Sequence, residues 1–273
     1  MKVGNDATEI NQHKIDKKTE LTMKFIGIIP ARYASTRFPG KPLAMLDGKA
    51  MVVRVVEQAL QALDEVVVAT DDERILDAVT TAGYRAVMTS TAHRSGTDRC
   101  HEAYLNVGSK ADVIINIQGD EPFIAVEQIR QLMGCFTDPS VEIATLVRPF
   151  PADEPYIRLA DPNLVKAVRA DDGRALYFSR SVIPYMRGVE PEQWPSRHQY
   201  FTHVGMYAYR ADALAKVVKL PQSTLEQTES LEQLRWLQAG MTIATAITEC
   251  PTIGIDTPDD LQQAIEYLKS LHR

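Results

Sequence analysis

The chain has 273 residues, 45% apolar and 24% charged, with 30 basic against 36 acidic side chains and a formal net charge of -6. That apolar content supports a sizeable core, as one large domain or a main domain with a smaller lobe, and excludes a chain disordered throughout. Lys and Arg are spread rather than blocked, no apolar stretch approaches the ~20 residues of a membrane span, and the dispersed Cys100, Cys135 and Cys250 fit neither a C-x-x-C metal pattern nor a disulfide framework, so nucleic-acid binding, membrane insertion and a secreted disulfide scaffold are set aside. The thiols read as reduced, in a cytoplasmic protein.

Residues 1–22 are polar, carry charges of both signs and lack the apolar middle of a signal peptide. They are expected to form a disordered extension ahead of a domain spanning 23–273, with Met23 able to serve as a start of its own. Phe25-Ile26-Gly27-Ile28-Ile29 is too short for a helix and reads as a strand buried on both faces. The segment that follows, Pro30 to Lys41, is the loop at its carboxyl end, where open α/β sheets bind ligands.

From Met23 to Leu46 there is no acidic residue, while Lys24, Arg32, Arg37 and Lys41 supply positive charge. An anion is the natural guest: Arg32 and Arg37 offer planar forks for phosphate oxygens and Lys41 a compact charge. It is not a Walker A loop, since the glycine required five residues before the Gly-Lys pair and the hydroxyl after it are here Ser35 and Pro42. An ordinary basic surface loop is the competing reading; position after the first strand favours function.

Met51 to Leu60 shows an apolar face at helical spacing, and Glu65 to Thr70 reads as a second buried strand. Asp71 or Asp72 would cap a helix running towards Ala82 and stopping at Gly83, before a short third strand, Arg85 to Met88. Such alternation predicts a Rossmann-like, mostly parallel central sheet flanked by helices. In His93-Arg94-Ser95-Gly96-Thr97-Asp98-Arg99, a glycine between hydroxyl residues makes a compact turn able to read a base edge or a ribose, or else Thr97 or Asp98 simply caps a helix beginning near Asp98.

Asp112 to Ile117 is a fourth buried strand, and Gln118-Gly119-Asp120-Glu121-Pro122 stands at its end. An aspartate there, far from basic sequence neighbours, suits a Mg²⁺ ligand better than a structural ion pair; a surface Gly-Asp turn is the alternative. After a helix from Ala125 to Thr137 and a strand from Val141 to Val147, Pro149, Pro151 and Pro155 are expected to break regular structure and open an inserted β-rich lobe at about 151–202. Within it, Asp161 to Val168 and Ala175 to Arg180 read as paired strands about a turn at Asp171-Asp172-Gly173, and Trp194, Tyr200 and Phe201 as packing or subunit contacts. His203 to Arg210 alternates as a strand, Leu225 to Leu237 has the stripe of one amphipathic helix with its charges on a solvated face, and Thr242 to Ile247 is a strand. Ile253 to Asp260 is a strand end leading into a helix that Thr257 caps and Pro258 opens, running to Leu271.

From about Lys24 onward these blocks resemble, in order, the sugar nucleotidyltransferases that activate acidic sugars with CTP, above all the CMP-Kdo synthetase family. The resemblance implies a nucleotidyltransferase fold and a cytidylyltransferase joining CTP to 3-deoxy-manno-octulosonate (Kdo) for lipopolysaccharide synthesis, with diphosphate released. It implies that Arg32, Arg37 and Lys41 hold the triphosphate, that Ser95 and Gly96 contact the cytosine, and that Asp120 and Asp256 bind Mg²⁺, with Lys41, Arg32 and the two aspartates carrying catalysis. Gln118, His203, Tyr207, Glu232 and Gln233 are implied as sugar contacts; Thr202 stands where relatives commonly have arginine. Glu121 is left as a turn-shaping residue, and Arg180 is offered for the sugar carboxylate. A homodimer is implied. Two alternatives stay open: CTP-dependent activation of 8-amino-Kdo or a nonulosonic acid of the sialic type, and a nucleotide-sensing module without catalysis.

Overall fold

The computed structural model describes residues 23–34, 38–251, 254–255 and 257–271; the expectations placed on residues 1–22, Arg37, Ile253 and Asp256 lie outside the described residues. In chain order the elements are β1 (Phe25–Ala31), β2 (Met45–Leu46), β3 (Lys49–Ala50), α1 (Met51–Ala59), β4 (Val66–Thr70), α2 (Glu73–Thr81), β5 (Ala86–Met88), α3 (Gly96–Val107), β6 (Val113–Asn116), α4 (Val126–Cys135) and β7 (Ile143–Pro149). They continue with α5 (Tyr156–Leu159), β8 (Lys166–Arg169), β9 (Ala175–Ser179), α6 (Trp194–Arg197), β10 (Phe201–Arg210), α7 (Ala211–Val217), α8 (Thr224–Glu229), α9 (Gln233–Gln238), β11 (Ile243–Ile247) and α10 (Pro258–Leu271).

The main sheet has the order β11-β7-β10-β6-β1-β4-β5. Every pairing along it is parallel except those of β10, which runs antiparallel between β6 and β7. The chain first builds outward from β1 through β4 and β5 and then crosses back to place β6 on the other side of β1. That reversal opens a crevice beyond the carboxyl ends of β1 and β6, the place where doubly wound sheets receive ligands.

Strand side chains alternate between two apolar layers, as a period of two requires. Ile29, Ala31, Val66, Val68, Val113 and Ile115 face the layer covered by α1, α2 and α4, through residues such as Val55, Ile75, Val79, Ile129 and Leu132. Ile26, Ile28, Val67, Ala69 and Ile114 face the opposite layer, with Cys100, Ala103, Leu214, Leu234 and Trp236 of α3, α7 and α9. A smaller apolar group joins Leu46 and Met51 to Ile255, Ala264 and Leu268, seating α10 beside the β2–β3 ribbon. Around residues 151–202, Phe150, Leu159, Trp194 and Tyr200 form a satellite core, and β8 pairs antiparallel with both β9 and β10.

Four details depart from the sequence reading. Pro149 does not end regular structure but is the last residue of β7, opposite Phe201, a strand-end position where its missing N–H is tolerated. Residues 161–165 are not strand: the Asp161 carboxylate accepts the N–H of Asn163 in a turn, so β8 starts at Lys166. The stretch 225–237 is two helices, because Ser230 takes a left-handed conformation at φ 52° and ends α8. Finally, α3 starts at Gly96 with Ser95 as its cap, whose hydroxyl accepts the N–H of Asp98, rather than near Asp98 with Thr97 or Asp98 capping.

Candidate active site

Pro30, the penultimate residue of β1, lines a cleft of about 290 Å³ together with Ala31, Arg32, Lys41 and Pro42, with His93 to Gly96 and Arg99, and with Gln118, Gly119 and Asp120. Three loops after parallel strands therefore meet: the basic one after β1, the turn between β5 and α3, and the acidic one after β6. Close backbone approach makes this possible. A Cβ on Gly119 would lie 3.0 Å from the Pro30 carbonyl oxygen, and one on Gly96 would lie 3.3 Å from the Pro30 ring. The wall at Ser95 and Gly96 is the amino end of a 12-residue helix, whose N–H groups and dipole favour an anionic or acceptor-rich ligand.

Lys41 and Asp120 touch: Nζ donates to Oδ2 at 2.7 Å, with side chains 14% and 33% exposed. Asp120 thus belongs to an ion pair after all, with a partner 79 residues away in sequence, which is why local charge gave no sign of it. The pairing is compatible with ligand work, since a lysine that reaches the carboxylate also reaches anything the carboxylate binds. Burial, and then the Asp120 charge beside it, push the Glu121 carboxyl up to about 7. Glu121 thus resists adding a second negative charge next to Asp120.

A divalent ion fits here on the chemistry of the donors. Among the described residues no three His, Cys, Asp or Glu side chains converge. Mg²⁺ takes one or two carboxylates and completes its shell with ligand phosphates and water, a donor set of the kind that the Asp120 carboxylate beside a basic loop offers. Ile255 donates its N–H to the Asp120 carbonyl at 2.9 Å, so the chain just before Asp256 runs against the Gly119–Asp120 turn.

Three lining residues had no clear signal in the sequence. Arg99 is buried; it donates to Asp71 Oδ2 at 2.7 Å and to Thr89 Oγ1 at 2.6 Å, tying the loops after β4 and β5 to the first turn of α3. His93 is held by Glu102, which also accepts the Ser90 N–H at 2.9 Å; that backbone bond, more than the imidazole, keeps the Glu102 carboxyl below its usual range. Arg94 stands exposed at the rim. The partners of Arg99 and His93 are side chains that only folding brings near.

The implied sugar residues divide. Gln118 lines the cleft, and its amide donates to the Gly205 carbonyl at 2.7 Å, at the irregularity where β10 shifts register between Val204 and Tyr207. His203, Tyr207, Glu232 and Gln233 are not among the cleft's lining residues. The His203 ring lies 5.3 Å from Tyr207, whose ring meets Trp236 edge-on at 5.1 Å. Glu232 is not on a solvated face: it accepts the Thr97 hydroxyl at 2.8 Å, joining α9 to the first turn of α3, and burial raises its carboxyl. Gln233 is buried as well, with its amide nitrogen unpartnered among the described residues. Arg180 donates to the carbonyls of Glu229 and Pro162, fastening β9 to the end of α8.

Burial depresses the His203 imidazole to about 4, and Nε2 pairs with Thr145 Oγ1 at 3.0 Å. The fold prefers the neutral ring, whereas the unfolded chain titrates near 6.5 and binds more protons below that pH. Stability from this group is therefore complete above about pH 6.5 and is lost as pH falls through about 4, a contribution on the order of 3 kcal/mol. H203Q is expected to show a smaller drop in melting temperature than wild type between pH 7 and pH 4.5. Equal drops in the two proteins would refute the assignment.

The cytidylyltransferase family model matches residues 26–243. The chain is 58% identical over 247 residues to a 3-deoxy-manno-octulosonate cytidylyltransferase of Phocaeicola vulgatus, covering 90% of this chain and 98% of that protein. It is 56% identical over 248 residues to the protein of the same name from Bacteroides thetaiotaomicron, covering 91% and 99%. A solved structure of CMP:2-keto-3-deoxy-manno-octonic acid synthetase complexed with CTP superposes with a TM-score of 0.83 at 42% identity, over 91% of this chain and 99% of that one.

Proposed function

The chain belongs to the cytidylyltransferase family, among its 3-deoxy-manno-octulosonate cytidylyltransferases, and on that premise we propose that the cleft at the β1–β6 crevice transfers CMP from CTP to Kdo and releases pyrophosphate. The observation that carries the reading is the meeting of Lys41 with Asp120 at 2.7 Å. It brings an ammonium of the kind that suits phosphate and a carboxylate of the kind that suits a hard cation together, from loops far apart in the sequence.

The sugar's anomeric oxygen attacks the α-phosphorus in line while the bond from that phosphorus to the pyrophosphate oxygen breaks. Such a reaction asks the protein for placement and charge neutralisation rather than a nucleophilic side chain. Arg32 and Lys41 steady the triphosphate from one side, with Arg37 proposed for the same task. Ser95 and Gly96 offer the amino end of α3 to the cytosine, and Gln118, fixed by Gly205, faces the sugar. His203, Tyr207, Glu232 and Gln233 are proposed to complete the sugar side. Asp120 and, in this proposal, Asp256 would hold a Mg²⁺ ion, which would supply electrophilic polarisation at the phosphate when bound.

We also propose a homodimer and a cytoplasmic location. Support for the first comes from two large apolar side chains of the 151–202 region, Ile157 and Tyr185, that are 74% and 75% exposed, with the Tyr185 ring 4.9 Å from that of Trp194. Support for the second comes from three free cysteines, and no helix among the described residues is long and apolar enough to cross a membrane.

The deciding experiment follows pyrophosphate release from CTP with Mg²⁺ across Kdo, 8-amino-Kdo and sialic acid, with sedimentation or light scattering for the dimer. Release with Kdo is expected. Release with sialic acid alone would overturn the sugar assignment, and CTP binding without release for any sugar would leave a nucleotide sensor.

A further inference from the structure

The chain between β1 and the helical turn Lys41–Leu43 must hold Arg32 and Lys41 in register, and one side chain is placed to do so. Gly40 donates its N–H to the Tyr33 carbonyl at 2.9 Å, closing the loop on itself one residue inside each of the two cations. Gly40 takes φ 71°, and a Cβ there would come within 3.0–3.1 Å of the Tyr33 ring and its hydroxyl, so the ring packs directly on the Gly40 backbone. The same ring receives the guanidinium of Arg74, whose central carbon is 3.4 Å from the ring centroid.

Arg74 is itself anchored. Its Nε and Nη2 donate to the two carboxylate oxygens of Asp72 at 2.9 and 2.7 Å, and Asp72 caps α2. A cation in the first turn of a helix opposes the helix dipole. Its place there calls for a use, and contact with Tyr33 supplies one, since an arginine over an aromatic face is attracted to the ring's negative face. Neither Tyr33 nor Arg74 is among the residues lining the cleft.

We propose that Tyr33, held by Arg74, is a positioning residue for CTP: it fixes the Tyr33–Gly40 closure and so preorders Arg32 and Lys41 for the triphosphate before nucleotide arrives. The inference rests on the CTP-dependent reading above. Preorganisation acts on binding, because the ordering that the ligand would otherwise impose is already in place. A loss of general packing would instead disturb both substrates alike.

The test measures steady-state constants for both substrates and CTP affinity by calorimetry in wild type, Y33A, Y33F and R74A. Y33A is expected to raise the KM for CTP about 10-fold, with kcat within about threefold and the KM for the sugar unchanged. Y33F keeps the ring and should restore CTP binding to within about twofold. R74A, at a side chain that is 59% exposed, should weaken CTP about two- to fivefold, the worth of an exposed cation–π contact, and carries the test alone if Y33A does not fold. Folded variants that bind CTP as tightly as wild type, or an equal loss for both substrates, would overturn the proposal. A wild-type protein that binds CTP but forms no CMP-sugar would remove the catalytic reading, while the calorimetric arm still judges Tyr33.

Discussion

D120N is expected to lower turnover with CTP and Kdo by about a thousandfold at saturating Mg²⁺, with the fold intact. The carboxamide keeps the shape of the carboxylate and an oxygen that can still accept from Lys41 Nζ, but it loses the charge that a hard cation requires. Metal polarisation contributes several kcal/mol to a phosphoryl-type transfer, and each 1.36 kcal/mol is a factor of ten, so about 4 kcal/mol gives that loss. Stability should hardly move. Asp120 is 33% exposed, and ion pairs at such positions contribute about 0–1 kcal/mol. Three measurements check the argument: kcat from pyrophosphate release, Mn²⁺ affinity followed by its paramagnetic signal, and the melting temperature. A variant within tenfold of wild-type turnover, or one that binds Mn²⁺ unchanged, would remove Asp120 from the metal's coordination.

What the sequence could disclose was whatever depends on near neighbours. The β-branched runs of β1, β4 and β6 were legible because central parallel strands are buried on both faces, and the loops at their carboxyl ends followed from the geometry of such sheets. Arg32, Lys41 and Asp120 were named from such loops and Ser95, Gly96 and Gln118 from the family resemblance, and all six line the cleft. The pairings in and around it were not legible. Lys41 meets Asp120 across 79 positions, Arg99 meets Asp71 across 28 and Thr97 meets Glu232 across 135. Sequence charge cannot report contacts made through a sheet. The break at Ser230 escaped for a different reason: the leucine stripe continues through it, and neither glycine nor proline marks the left-handed residue. Ser95 was missed as the cap because two further residues with capping side chains follow it within three positions.

K41M should be the second most damaging change, lowering kcat/KM for CTP by about a hundredfold. Methionine matches the lysine stem and keeps its packing in a site that leaves only 14% of the side chain exposed, so the loss isolates the ammonium. A hydrogen bond to a charged group is worth about 1.5–3 kcal/mol, or roughly 10- to 150-fold in rate or affinity. The pairing with Asp120 makes a sharper claim than either substitution alone. If Lys41 acts on the triphosphate at the same point where Asp120 holds its metal, each residue's worth depends on the other, and K41M/D120N should lose clearly less than the product of the separate losses. Residues serving remote parts of the ligand would instead multiply. A double-mutant cycle on kcat/KM decides between the two, and simple multiplication, about a hundred-thousandfold in all, would mean that the 2.7 Å contact is a structural ion pair beside the chemistry and not part of it.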